Sequence, residues 1–289
     1  MILITGAAGQ LGTDVALELK KRNTDNIGID RTEVSGEPSP CHSLDITDIK
    51  AVYDFILDKK PKSVIHCAAY TAVDKAEDEP ELCYNVNAVG TVNIAKACKE
   101  IDAEMIYIST DYVFDGEGEA PYETDAVKSP VSVYGKNKLA GEEAVCNHLD
   151  KYYIVRISWV FGEHGNNFVK TMLNHAKTKK ELNVVSDQIG SPTYTPDLAI
   201  LLCDMVLSGK YGIYHATNEG FCSWAEFAEE IMNQSGSDCK INPIPTEQYP
   251  TKATRPKNSR LSKASLDKSG FSRLPVWQDA LKRYLRKEK

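Results

Sequence analysis

An α/β fold built on a doubly wound parallel sheet is predicted by three features of this 289-residue sequence. Short β-rich apolar runs alternate with longer amphipathic stretches, a glycine-rich turn follows the first run directly, and the alternation gives way past Val160 to loop-rich segments. Parallel strands need a crossover of a dozen or more residues, usually a helix, so the alternation points to right-handed βαβ units. The length suffices for one large core, and no linker divides the chain. Residues 1–160, with 196–217 added, read as the sheet core, and 161–289 mainly as a smaller, interleaved C-terminal lobe.

Residues 1–5, 26–30, 63–67, 104–109 and 152–157 read as buried strands, being near-continuous apolar runs as expected where helices cover both faces. The stretch 80–101 reads as a long helix with Leu82, Val86, Val89, Ile94 and Ala97 at helical spacing, and with Gly90 where another element packs closely. Past Val160 a Gly/Asn loop at 162–167, a turn at Ser191-Pro192 and a Pro- and Lys-rich stretch at 242–258 read as loops gathered around a ligand. Helices near 224–232 and 277–284 cover them, and the basic end 282–289 reads as a solvated helix terminus. No repeat or low-complexity segment interrupts this order.

A net charge of −7 argues against a broad attraction to nucleic acid, while leaving room for local cations that hold one phosphorylated ligand. No apolar run approaches the ~20 residues that span a bilayer, so no membrane association and a cytoplasmic location are expected. The 8 cysteines lack any C-x-x-C spacing, as reduced thiols would; Cys67 and Cys83 read as packing residues. The 6 histidines show no pair at ligand spacing, so no metal is expected.

The first chemical motif is Gly6-Ala7-Ala8-Gly9-Gln10-Leu11-Gly12, between the first strand and the first helix. Glycines there allow a tight turn and close approach of backbone to a pyrophosphate, whose charge meets free N–H groups and the positive end of the helix. The GxxGxxG spacing also occurs at ordinary strand–helix turns, and its context decides for a dinucleotide. Asp30 ends the second strand, where a carboxylate accepts from ribose hydroxyls; this favours NADH. Arg31 follows and suits a 2′-phosphate, so NADPH stays open. Asp45 and Ile46 suit the adenine edge, and Ala68 and Ala69, followed by Tyr70, line the cofactor groove. The core is therefore expected to be a Rossmann-type one, and the C-terminal lobe to bind substrate.

The second motif is Tyr134-Gly135-Lys136-Asn137-Lys138, whose phenol and ammonium share one face if the segment is helical. A phenol with a pKa near ~10 needs a neighbouring cation to exchange protons readily. An exposed helical pair is the plain alternative, and Thr110, at the carboxyl end of the fourth strand, favours chemistry. Its hydroxyl is placed to bond a substrate carbonyl and the tyrosine together.

These residues, with 68–76 (AAYTAVDKA), 109–116 (STDYVFDG), 134–142 (YGKNKLAGE), 156–162 (RISWVFG), DQIGSPT at 187–193 and RPKNS at 255–259, closely resemble the dTDP-4-dehydrorhamnose reductase family of the extended short-chain dehydrogenase/reductase superfamily. The resemblance runs along nearly the whole chain. It implies reduction of the C4 ketone of dTDP-4-dehydro-β-L-rhamnose to dTDP-L-rhamnose, a precursor of surface polysaccharides, by hydride transfer from NADPH or NADH. It further implies Tyr134 as proton donor and Lys138 as the residue that orients the nicotinamide ribose and lowers the tyrosine pKa. Thr110 and Asp111 would hold the sugar, with Trp159 against its methyl-bearing face. Gly9, Gln10, Leu11, Asp30, Asp45, Ile46, Ala68, Ala69 and Tyr70 match cofactor positions. Arg255 and Asn167 are assigned to the pyrophosphate or thymidine end, with loop capping the alternative for Asn167.

Some relatives form dimers through magnesium-binding acids. Here Asp14 is present, but Thr195 stands where the second acid is expected, so a monomer or a homodimer without bridging metal is expected. Two other functions compete. A nucleotide-sugar epimerase or dehydratase of the same superfamily is one, although dehydratases carry Glu where Tyr112 stands here. The other is a non-catalytic subunit like the regulatory subunit of methionine adenosyltransferase, which the intact Thr110, Tyr134 and Lys138 disfavour.

Overall fold

The computed structural model describes residues 1–32 and 38–287. Seven parallel strands form the central sheet: β1 (Ile2–Thr5), β2 (Asn26–Asp30), β3 (Cys41–Ser43), β4 (Ser63–His66), β5 (Glu104–Thr110), β6 (Tyr152–Ile157) and β7 (Gly212–His215). Their spatial order, β7-β6-β5-β4-β1-β2-β3, reverses between β1 and β4, and the crevice at such a switch point is where open α/β sheets hold ligands. All seven residues of β5 are buried, which accounts for its unbroken apolar texture. The five strands read from the sequence are present; β3 and β7, three and four residues long at the two edges, are additions. Such short, partly exposed runs leave no period to detect.

Helices cover both faces. On one, α1 (Gln10–Lys21) packs its Val15 and Leu19 with Leu198 and Leu202 of α6 (Thr195–Met205) against Ile4, Ile106 and Val155. On the other, α2 (Ile49–Lys59), α3 (Gly90–Glu100) and α4 (Val133–His148) bury Val52, Ile56, Ile94 and Val145 against Leu3, Val64 and Met105. A separate core joins α5 (Phe168–Ala176), α7 (Trp224–Ser235) and α8 (Trp277–Lys287) through Val169, Phe227, Ile231, Leu281 and Tyr284. The basic end is helical as far as Lys287, and Glu288 and Lys289 lie outside the described residues. Among the described residues no helix is long and apolar enough to cross a membrane.

The helical stretch read at 80–101 is interrupted by a π turn at Asn85–Val89 before α3 begins. Asn87 explains its retention: its amide accepts from Tyr70 N–H at 2.8 Å and donates to Tyr70 C=O at 3.0 Å, so the widened turn aims one side chain at the loop after β4. Gly90 meets the close approach expected of it, since a Cβ there would lie 2.6 Å from Cδ1 of Ile46.

One buried ion pair locks α4 to the sheet. Arg156 of β6 donates from Nε and Nη2 to the two carboxylate oxygens of Glu142, both at 2.8 Å, and Ser109 of β5 donates to the same carboxylate at 2.6 Å. Arg156 also donates to the Thr124 carbonyl at 2.9 Å, and both charged side chains are almost fully buried. Replacing Glu142 by alanine strands the guanidinium without its counter-charge, so Glu142→Ala is expected to lose about 3–5 kcal/mol of stability, read from the urea midpoint. Gly141 tests the same contact sterically. A Cβ there would run into the Tyr107 hydroxyl and sit 2.8 Å from the Asn87 carbonyl. Helix propensity alone would reward Gly141→Ala by about 1 kcal/mol. Overpacking of about 1–3 kcal/mol opposes it, so a lower melting temperature is expected; a higher one would show that the Tyr107 contact yields.

Candidate active site

A cleft of about 550 Å³ opens over the carboxyl ends of the central strands, lined by the glycine loop, the loop after β4, the end of β5, the start of α4 and residues 157–160. Its floor is the first motif. Gly6 holds φ at +66°, and a Cβ on it would lie 2.6 Å from the Ala68 backbone nitrogen; a Cβ on Gly12 would collide with the Gly6 carbonyl. Gly9 caps α1 with no side chain over the first-turn N–H groups. That concave, donor-lined end fits a pyrophosphate, which answers by geometry whether the residues present suit a dinucleotide.

At the cleft's far end, Asp30 accepts from Ala8 N–H at 3.2 Å and from Thr32 N–H at 3.4 Å, and exposed Arg31 stands beside it. One wall therefore carries both a ribose acceptor and a phosphate cation. Asp45 is fixed by Thr47, whose N–H and hydroxyl donate to it at 2.9 and 2.8 Å, while the Ile46 carbonyl accepts from Asn93 at 3.0 Å. Ala68 N–H donates to Thr5 Oγ1 at 3.2 Å, aligning the Ala68-Ala69 backbone along the groove. Tyr70 lines the cleft, with its phenol donated to Glu79 at 2.6 Å. Gln10 and Leu11 complete this wall.

Ser132 caps α4 by accepting from Gly135 N–H at 3.1 Å, and the helix then carries Tyr134 and Lys138 to the end of β5. Gly135 permits this entry, because a Cβ there would strike the Tyr112 carbonyl. Burial raises the Tyr134 pKa first, and the nearby Asp111 carboxylate raises it further, with the Thr110 hydroxyl working the other way. Desolvation and Asp111 prevail over the lowering expected of Lys138, and the phenol is held protonated. The Lys138 ammonium instead donates to the Ile108 carbonyl at 2.7 Å and lies 4.1 Å over the Tyr107 ring. Its own pKa is lowered to about 7 by burial, with Glu142 opposing.

Thr110 donates to Asp111 Oδ1 at 2.9 Å, and Ser259 donates to Oδ2 at 2.5 Å. Burial pushes the Asp111 carboxyl up to about 6, against the pull of those two bonds. Trp159 forms the opposite wall. It adopts φ +50°, rare for a bulky side chain, and is held there by Thr193 N–H on its carbonyl at 3.0 Å and by Trp224, stacked at 3.7 Å between centroids.

Of the two residues assigned to the pyrophosphate or thymidine end, Arg255 sits elsewhere and Asn167 takes its capping alternative. Arg255 does not line the cleft; it donates to the Tyr112 hydroxyl at 2.9 Å and pairs with Asp74 at 2.5 Å, so its charge is committed behind the wall. Asn167 takes the capping role, accepting from Lys170 N–H at 3.0 Å while its amide donates to the Gly162 carbonyl at 2.7 Å and to Gln10 at 3.2 Å. Its neighbour Asn166 reaches the cleft instead. Sequence reasoning weighed Tyr112 only as the residue in place of a dehydratase's acid, yet it lines the cleft with its ring edge-on to Tyr134 at 5.5 Å, and Ser259, which reaches Asp111, was not singled out as a site residue. The STDYVFDG and RPKNS segments contained both, but nothing in a linear string shows that they converge. Asp14 is buried near Thr195, with His164 at 3.8 Å, and among the described residues no group of three or more His, Cys, Asp or Glu could hold a metal ion.

The model of the RmlD substrate binding domain family matches residues 1–289. The spore coat polysaccharide biosynthesis protein SpsK of Bacillus subtilis is 41% identical over 98% of this chain and 96% of its own length. A dTDP-4-dehydrorhamnose reductase structure from Clostridium acetobutylicum superposes with a TM-score of 0.94 at 45% identity, covering 99% of both chains. That of the Bacillus anthracis enzyme in complex with NADP gives 0.93 at 40% identity over 99% of this chain and 98% of the other. Matched end to end by the family model and nearly end to end by these reductases, the chain belongs to the RmlD substrate binding domain family, that of the dTDP-4-dehydrorhamnose reductases.

Proposed function

We propose that this protein is an NAD(P)H-dependent reductase that converts the C4 ketone of dTDP-4-dehydro-β-L-rhamnose to the alcohol of dTDP-L-rhamnose. One observation carries the reading: a buried phenol held protonated stands with Thr110 and Asp111 in the same cleft as an uncapped glycine-loop helix terminus. A reduced nicotinamide, when bound, supplies the hydride for the carbonyl carbon. The chain's part is to place the ketone and deliver the proton. Thr110 and Asp111 hold the sugar at the end of β5, and Trp159 packs its apolar face on the deoxysugar. Tyr134 donates its proton to the ketone oxygen; burial keeps the phenol loaded with that proton beforehand, and its release is drawn by the alkoxide charge that develops as hydride arrives. The phenolate charge that develops is met by the Lys138 ammonium, whose protonated form that negative charge favours. The glycine loop, Asp45, Ile46, Ala68, Ala69 and Tyr70 bind the coenzyme, while Asp30 and Arg31 accommodate either ribose form.

We assign residues 1–160 with 196–217 to coenzyme binding and 161–289 mainly to substrate. The enzyme works in the cytoplasm as a monomer or homodimer. Elimination chemistry is disfavoured because Tyr112, tied to Arg255, occupies the place of the acid it needs.

Three measurements follow. With dTDP-4-dehydro-L-rhamnose, the native protein is expected to consume NADH or NADPH stoichiometrically and form dTDP-rhamnose; no turnover on any keto sugar would leave a binding role. Tyr134→Phe is expected to lower kcat by about 10²–10⁴-fold with coenzyme affinity retained. Asp30→Asn keeps an acceptor for Ala8 while removing the charge that faces a 2′-phosphate. It should lower the KM for NADPH by about 10-fold and leave NADH little changed, and equal effects on both coenzymes would place the adenosine ribose elsewhere.

A further inference from the structure

Ser259 lies far in sequence from the motifs, yet it is 1% exposed and donates to a carboxylate beside the proton donor. Its backbone is pinned on both sides: Ser259 N–H donates to the Ile189 carbonyl at 2.7 Å, Ile189 N–H to the Lys257 carbonyl at 2.8 Å, and Asn258 N–H to the Gly116 carbonyl at 2.8 Å. Gly190 is wedged between this segment and the substrate wall, for a Cβ on it would lie 2.9 Å from both the Ser259 Cβ and the Trp159 ring. One rigid contact thus joins the face that meets the sugar to the hydrogen bonds behind Thr110.

We propose that Ser259 is a positioning residue for proton delivery: by donating to Oδ2 of Asp111 it keeps that carboxyl an acceptor for Thr110, and so fixes the direction in which the Thr110 hydroxyl serves Tyr134. This rests on the reductase reading given above. Thr110 has one hydrogen, and while Asp111 is ionised that hydrogen goes to Oδ1, leaving the Thr110 lone pairs for its other neighbours. A proton taken from solvent by Asp111 would turn the carboxyl into a donor toward Thr110 and reverse this polarity. Burial favours that proton, and the Ser259 bond opposes it. The other titratable and charged groups around Asp111 do not replace Ser259. Tyr134 from α4 and the adjacent Tyr112 are both held as neutral phenols, and the Arg255 charge, which reaches Tyr112, is already paired with Asp74.

The test reads Asp111 directly and then through the reaction. In full-length protein, with and without coenzyme, the Asp111 carboxyl carbon is titrated by ¹³C NMR, assigned by its loss in Asp111→Asn. Ser259→Ala is expected to move this titration upward by about one pH unit or more, the worth of one charge-assisted hydrogen bond. The acid limb of kcat should move with it, lowering kcat about 10-fold on the acid side and sparing it above the shifted limb. Ser259→Cys keeps a side-chain donor, larger and weaker than the hydroxyl, so a smaller shift in the same direction is expected, and it stands in if the alanine variant fails to fold. An unmoved carboxyl titration overturns the proposal. So does a moved titration with a fixed kcat limb, or a loss of kcat uniform across pH together with a lower melting temperature. A native protein that titrates as described but turns over no keto sugar sinks the reductase reading instead.

Discussion

The site depends first on the buried pair of Glu142 and Arg156. Tyr134 and Lys138 are useful only if α4 keeps its height and rotation relative to the end of β5. The pair sets both, because one carboxylate is shared between Arg156 of β6 and Ser109 of β5. Two buried charges are expensive to desolvate, and the bidentate geometry offsets that cost only when every partner is in place. Such an all-or-none contact suits alignment better than it suits stability. The Gly141–Tyr107 approach adds a steric stop to the electrostatic one.

Within that frame, burial governs the chemistry. The phenol of Tyr134 is raised, the carboxyl of Asp111 is raised to about 6 and the ammonium of Lys138 is lowered to about 7, each chiefly because the charged form loses water. All three shifts run in the direction that favours the neutral form. Charge that develops on the phenol is then met at close range in a medium that screens it poorly. The far end of the cleft differs: Asp30 is half-buried and Arg31 exposed, so their charges are screened by solvent.

Trp159 shows how strain at a functional wall is sustained. Its left-handed backbone persists because Thr193, Trp224 and Gly190 constrain it from three directions, and those contacts come from segments distant in sequence. The aromatic stack continues through Phe168 into the core under α7, so this wall of the cleft is anchored in the second hydrophobic core.

The sequence by itself determined the parallel sheet, the glycine loop and the Tyr134/Lys138 pair, because these follow from local period and spacing: buried strands read as apolar runs, and one helical turn puts two side chains on one face. It also placed Thr110 and Asp30 at strand ends, where a switch-point crevice presents them. The edge strands at Cys41–Ser43 and Gly212–His215 were too short to carry a signal. Only the tertiary structure decided the rest. It turned Arg255 to Asp74 and Tyr112, since a cation takes the nearest partner, which no spacing reveals, and it chose capping from the two roles left open for Asn167. It set Tyr134 upward in pKa, because burial and the Asp111 carboxylate are properties of the packed site and not of the YxxxK string. And it brought Ser259 to Asp111, a contact between segments 148 residues apart that exists only once the C-terminal segment has folded back across the cleft.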